Sequence, residues 1–465
     1  MSKAQPAFLT GSLTRHIIVM SLTSAVGLVA IFLVDVVDMI FISMLGVEEL
    51  AAAVGFAGTV MFLTTSICIG MAIAGGALVA RALGEGHPQR ASQVLTHVMA
   101  VGVAFAIAFA ALILVNVEGL TRLIGASGET QRLAISYLRI MLPSMPLLMI
   151  GIVGSAALRG HGAARLSMQV TLVAGVVNAV LDPIFIFGFG WELDGAAAAS
   201  VVSRIALAGT ALWYLQTMYG GLAWRGLRAL ARDLRPIAAI AVPAMLSNIA
   251  APIGGAYVVR AAAEFGEAAV AGMAIVGRIT PIAFALIFAM SGAIGPIIGQ
   301  NFGAGRHDRV RAAFNASIGL IVAYVVPVVI VLYLARSWVA NLFGATGDAR
   351  ALVYLFCGPL SLLWIFNGVI FIGNAAYNNL GHPFYSTWVN WGRNTLGVFP
   401  FVWAGALLWG AEGVLIGQMA GGIPVAVVSF ILAERLMRRA EAGKTGGTSG
   451  FITNRRWFNI LYTRR

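Results

Sequence analysis

Ionisable side chains are scarce in this sequence. Only 10% of its 465 residues are charged, 60% are hydrophobic and the mean hydropathy is +0.90, whereas soluble domains run nearer a quarter charged. No stretch between the apolar runs is long enough to fold alone, which excludes a soluble enzyme on a single anchor. Cysteine is nearly absent. Cys68 and Cys357 each sit within an apolar run, so a disulfide framework and Cys-rich metal spacing are excluded, and both read as small buried hydrophobes. The glycine loops at 84–86 and 303–305 lack the GxxxxGK[ST] phosphate pattern and read as helix caps, so ATP-driven work is not expected. A cleavable signal is not expected either, because the first apolar run is too long for an h-region.

What is present is a series of apolar runs of bilayer-crossing length. Twelve spans are expected, near 16–44, 51–80, 94–116, 131–156, 166–189, 195–218, 236–262, 268–299, 312–336, 349–375, 385–408 and 412–434. The net charge of +12 invites a nucleic-acid reading, but its distribution argues against one. Alternate connecting segments, with both termini, hold 21 of the 30 basic residues; the opposite set holds five. This asymmetry places both termini on the cytoplasmic side of the membrane, in contact with lipid and not with nucleic acid.

The two halves resemble each other at an offset near 219 residues. VARALGEGHPQR (79–90) aligns with IGQNFGAGRHDR (298–309), LIGASGE (123–129) with LFGATGD (342–348), and DGAAAA (194–199) with EGVLIG (412–417). Six spans per half keep the repeats in one orientation, the plan of secondary transporters with a cavity between halves. The expected division is 1–225, 226–440 and a basic cytoplasmic tail, 441–465, without fixed structure.

Acids inside the spans carry the chemistry. Asp35 and Asp38 are i and i+3 in the first span, and Asn178 and Asp182 are i and i+4 in the fifth, so each pair shares a helical face. One aspartate at a helix centre costs roughly 2.5–3.5 kcal/mol on insertion scales. Asp38 and Asp182 lie at a common depth, about 9 Å inside the outer boundary at 1.5 Å per residue. Close, buried carboxylates favour the neutral form, which suits a proton acceptor. The same oxygens, with the Asn178 amide and the Ser200 hydroxyl, equally suit a sodium ion. Asp35 reads either as a member of this set or as an acid facing water or an arginine. Pro183 follows Asp182 and frees the Ala179 carbonyl. The second half has no deep acid, and Val258 stands where the repeat has Asp38.

Taken together, VDMIFISMLGVEELAAAVG (37–55), GALVARALGEG (76–86), ALRGHGAARLSM (157–168), NAVLDPIFIFGFGWELDGAAAAS (178–200) and PAMLSNIAAP (243–252) resemble the multidrug and toxic compound extrusion (MATE) transporters, most closely the DinF-like branch. The resemblance implies an all-α polytopic fold, with twelve transmembrane helices in two six-helix bundles related by a pseudo-twofold axis and set as a V. It implies a monomeric antiporter without a cofactor, exporting amphipathic or cationic organic compounds against inward protons, with sodium as the alternative. Asp38, Asn178, Asp182 and Ser200 match the family's coupling positions, and Asp38, Asn178 and Asp182 would be the sodium ligands. Pro243 and Pro252 stand in the first helix of the second half, but the first half has Thr23 and Phe32 there, so any bend of helix one needs another origin. Met245, Met273, Met290, Phe284 and Phe288 are candidates for an adaptable substrate cavity, against core or lipid-facing packing as the simpler reading of each residue. Arg139, Arg204, Arg260, Arg278 and Arg393 read as structural, snorkelling to the interface or pairing with an intramembrane acid, and His97 reads as a polar packing residue, with a proton relay as the alternative. The rival readings are a lipid-linked oligosaccharide flippase of the same superfamily and, more remotely, a membrane-embedded enzyme using Asp35 and Asp38.

Overall fold

The computed structural model describes residues 6–443, apart from the side chains of Asp35, Ser43 and Glu48. The expected disorder of the tail falls, from 444 onward, outside the described residues. Every regular element that is described is helical. In chain order the helices are α1 (Leu13–Met44), α2 (Glu48–Gly84), α3 (Pro88–Val115), α4 (Val117–Leu123), α5 (Gly128–Met141), α6 (Met145–Gly160), α7 (Ala164–Pro183) and α8 (Glu192–Met218). They continue as α9 (Leu227–Ala263), α10 (Glu267–Ala283), α11 (Ala285–Gly303), α12 (His307–Leu342), α13 (Gly347–Cys357), α14 (Trp364–Asn379), α15 (Phe384–Asn394), α16 (Phe399–Ala420) and α17 (Gly422–Glu441).

Among the described residues, eleven stretches are long and apolar enough to cross a membrane. The last, Phe384–Glu441, is 58 residues long and reverses at Trp409 and Gly410, where α16 leaves helical geometry and Gly410 takes φ 59°. Glycine makes the reversal close-packed. A Cβ on Gly413 would collide with the Gly405 carbonyl, one on Gly417 with that of Phe401, and one on Gly421 with that of Gly397. Glycine at these positions lets the two legs touch backbone to backbone.

Several expected spans are pairs of helices. The run 131–156 is broken by a short 3-10 segment, Leu142–Ser144, where Pro143 and Pro146 withhold N–H donors. Arg204 Nη1 closes that break by donating to Met141 O (3.1 Å) and Ser144 Oγ (2.8 Å). The run 268–299 divides at Phe284, and 349–375 divides at Gly358. By contrast, α1 is continuous over 32 residues without proline.

The chain forms two compact units: Met1–Ala7 with Leu22–Ile237, and Phe8–Ser21 with Ala238–Arg465. The division falls later than the expected 225/226, and the beginning of α1 belongs to the second unit. In the first unit, an apolar cluster positions the acids. Ile42, one turn beyond Asp38, and Ile186, one turn beyond Asp182, pack together with Leu50, Ala53, Leu193 and Ala196. Phe41 meets Phe187 edge to face at 6.0 Å. This cluster fixes the C-terminal end of α1 against the end of α7 and the start of α8.

Candidate functional site

Asp38 on α1 and Asp182 on α7 meet at Asn178. Its Nδ2 donates to Asp38 Oδ1 at 3.1 Å and to Asp182 Oδ2 at 2.6 Å. The two carboxyl groups lie within hydrogen-bonding range of each other. Asp182 is fully buried and Asn178 is 5% exposed. Asp182 Oδ1 is buried and, among the described residues, has no hydrogen-bond partner. One neutral amide cannot balance a fully buried carboxylate, Asp182, and a half-buried one, Asp38; a shared proton or a small cation would supply what is missing. The orphaned Oδ1 is where such a partner would be received.

The helix changes form directly after the site. Pro183 closes α7 and a π-helical turn follows over Ile184–Gly188, with Phe189 N donating to Ile184 O at 2.9 Å. Pro183 has no N–H to continue the α ladder, and the wider turn absorbs the loss. It also carries Ile186 into the apolar cluster that holds the site.

Of the other expected site residues, Ser200 lies on α8 half-buried, and among the described residues no hydrogen bond joins it to the carboxyls. Ser203, one turn later, donates to Ala174 O at 2.8 Å and ties α8 to α7. The Asp35 side chain lies outside the described residues. Pro243 and Pro252 sit within α9, which runs unbroken from Leu227 to Ala263. The Pro243 carbonyl accepts from Ser247 Oγ (2.8 Å) and Thr387 Oγ1 (2.9 Å). The candidate cavity residues pack within the second unit. Phe284 stacks on Trp364 with centroids 4.8 Å apart, Phe288 meets Trp364 and Phe371, Phe284 and Met290 are fully buried, Met273 is 8% exposed and Met245 is half-buried.

Sequence reasoning missed Asp233. It looks like one acid in a basic connecting segment, WRGLRALARDLR. In the structure it is 2% exposed, takes both guanidinium nitrogens of Arg90 and lies 2.6 Å from His97 Nδ1. His97 is itself fully buried and, among the described residues, its Nε2 has no hydrogen-bond partner. The signal, a lone acid among arginines together with a histidine in an apolar span, was present but unpaired on the page.

Two segments of this chain, residues 23–184 and 243–403, match the MatE family model, and they begin at the spacing of the internal repeat. The chain is similar to a FAD transporter of Shewanella oneidensis, 27% identical over 449 residues, which covers 95% of this chain and 98% of that one. It is also similar to the multidrug export protein MepA of Staphylococcus aureus, 24% identical over 424 residues, covering 90% and 93% of the two chains. Among solved structures it resembles the Vibrio cholerae MATE transporter VcmN, with a TM-score of 0.87 and 25% identity over 92% of this chain and 97% of that one. With two matched segments over more than half its length and transporters as full-length relatives, the chain belongs to the MatE family of membrane transporters.

Proposed function

We propose that the protein is a secondary active exporter of the DinF-like branch, releasing amphipathic or cationic organic compounds in exchange for protons taken up at Asp38 and Asp182. In this reading it lies in a bacterial inner membrane with both termini cytoplasmic and twelve crossings, the Phe384–Glu441 hairpin counting as two. The observation that carries it is the Asn178 bridge. The amide turns its NH2 group, and not its carbonyl, toward both carboxylates. Two carboxyls within hydrogen-bonding range of each other can hold one proton between them, whereas a sodium ion beside the Asn178 amide would face N–H hydrogens. Protonation removes the charge repulsion between α1 and α7, so the two charge states favour different placements of α1. That difference is what an exchanger needs, because an ion shifts an equilibrium only as far as it binds the two states unequally.

A second reading of the cargo follows from the FAD transporter of Shewanella oneidensis, similar over 95% of this chain: a flavin dinucleotide in place of an organic cation. One experiment addresses both. Proteoliposomes receive an imposed proton or sodium gradient and are assayed with a fluorescent organic cation and with FAD, for wild type, Asp38→Asn and Asp182→Asn. Proton-driven transport lost in both variants supports the proposal, and the cargo assay separates the readings. Transport driven by sodium alone recasts the oxygens as a cation site with a flipped Asn178. No transport of either cargo turns attention to lipid-linked substrates and flippase activity.

A further inference from the structure

Arg90 and Arg309 occupy equivalent places in the internal repeat, 219 residues apart. Each lies early in the helix after a glycine-containing loop, Arg90 in α3 and Arg309 in α12. Each grips the chain at or just before the start of the opposite repeat's first helix, and the two grips use different chemistry.

In the second unit, Arg309 Nη2 donates to the carbonyls of Phe8 (3.1 Å) and Gly11 (3.2 Å), while its Nε holds Asn301 Oδ1 (3.1 Å). Asn301 Nδ2 donates to Phe8 O at 3.2 Å, and Phe8 N donates to Gln300 Oε1 at 3.0 Å. Arg306 Nη1 donates to Leu9 O at 2.6 Å. Phe8 is 2% exposed, and Gln300 and Asn301 are fully buried. A four-residue stretch of backbone is thus held by four side chains just before α1 begins.

In the first unit, Arg90 holds the Asp233 carboxylate with two guanidinium nitrogens, and His97 Nδ1 completes the grip. Trp224 meets the His97 ring edge-on at 5.6 Å, and Ala223 N donates to Thr96 Oγ1 at 2.7 Å. The segment held here, 223–233, is the entry to α9 and so to the second repeat.

The division into units mirrors this. The helix α1 starts in the second unit and passes into the first at Leu22; α9 starts in the first and passes into the second at Ala238. Because one clamp uses a carboxylate and the other backbone carbonyls, a copied motif does not account for both. Two chemistries that build the same restraint at equivalent places point to the restraint itself as what both halves need. An α-helix is a stiff rod rising 1.5 Å per residue. A rod fastened at its start to one unit, and carrying Asp38 in the other, passes displacement along its length.

We propose that Arg90 and Arg309 are positioning residues that form reciprocal clamps, so that movement of α1 at the acidic site is delivered to the second unit and movement of α9 is delivered back to the first. This rests on the transport reading for its purpose, though not for its test. In hydrogen exchange on the full chain, the difference between wild type and Asp38→Asn, which mimics the protonated acid, maps how far the site's charge state is felt. With both clamps intact, that difference is expected in both units. In the Arg309→Ala background it is expected to be confined to the first unit, with faster exchange over 8–21. Asp233→Asn, which keeps side-chain size, should speed exchange over 223–235. In proteoliposomes both variants should lose about tenfold in turnover with substrate affinity within about twofold, and Arg309→Lys should recover part of the loss. A difference that still reaches the second unit when Arg309→Ala is present overturns the clamp, whatever the transport assay gives. Loss of affinity together with turnover, without confinement, also overturns it, as does a wild-type difference that never leaves the first unit. A wild type that transports no cargo overturns the transport reading alone.

Discussion

Asn178 Nδ2 lies 3.1 Å from Asp38 Oδ1, and this bond joins acids from two helices into a single site. The same nitrogen serves Asp182, one turn away on α7. Removing the amide leaves the buried Asp182 and the half-buried Asp38 with neither a shared donor nor a compensating charge. A buried acceptor stripped of its partner costs about 1–3 kcal/mol. Asn178→Leu is therefore expected to lower proton-driven efflux by about tenfold or more, and Asn178→Gln, which keeps the amide on a longer stem, should recover part of it. Efflux rates at fixed proton gradient in proteoliposomes check this; a leucine variant with wild-type proton dependence would remove Asn178 from the mechanism.

The acids were legible because an aspartate within an apolar run is costly, and helical spacing then paired Asn178 with Asp182. What was not legible depends on partners distant in sequence. Asp233 read as a loop charge until Arg90 and His97, some 140 positions earlier, were seen to hold it. The break at Phe284 comes three residues after Pro281, at the point where Phe284 stacks on Trp364 and meets Phe356 edge-on, partners that lie far along the chain. The segment entering α9 is a related case: charge counting reads it as a connection, whereas Asp233, held by Arg90, keeps it with the first unit.

Ser200 and Ser203 sit one turn apart on α8, so periodicity alone permits either to face α7. Ser203 makes the contact, donating to Ala174 O at 2.8 Å. Ser203→Ala should therefore weaken α7–α8 packing by about 1 kcal/mol and lower the Tm, while Ser200→Ala should leave both Tm and the proton dependence of efflux near wild type. A coupling defect confined to Ser200→Ala would reverse this assignment.

The α16 reversal predicts a steep size limit. A methyl group on Gly413 collides with the Gly405 backbone, which has no side chain to swing aside. Overpacking of this kind costs about 1–3 kcal/mol or more, so Gly413→Ala should lower the yield of folded protein and its Tm. Gly277→Ala is the matched control, since nothing lies within 4 Å of a Cβ there. Equal melting of the two variants would show that the hairpin legs are not in backbone contact.

Acid sensitivity has a source outside the membrane-crossing segments. His161 occupies the turn between α6 and α7, its ring 4.3 Å from that of Tyr219, and burial pushes its pKa from 6.5 down to about 4. The unfolded chain thus takes up a proton that the folded chain refuses. The stability contributed by neutral His161 is complete above pH 6.5 and is lost progressively as pH falls toward 4. His382, in the turn between α14 and α15, is pushed the same way by burial, with Arg439 adding to it. Tm of the purified protein should therefore fall through that window. His161→Gln, which keeps a polar side chain that does not titrate, should flatten the fall, and His161→Gln with His382→Gln should flatten it further. Thermal melts in detergent at half-unit pH steps would decide it: parallel curves for wild type and the double variant would place the acid sensitivity elsewhere.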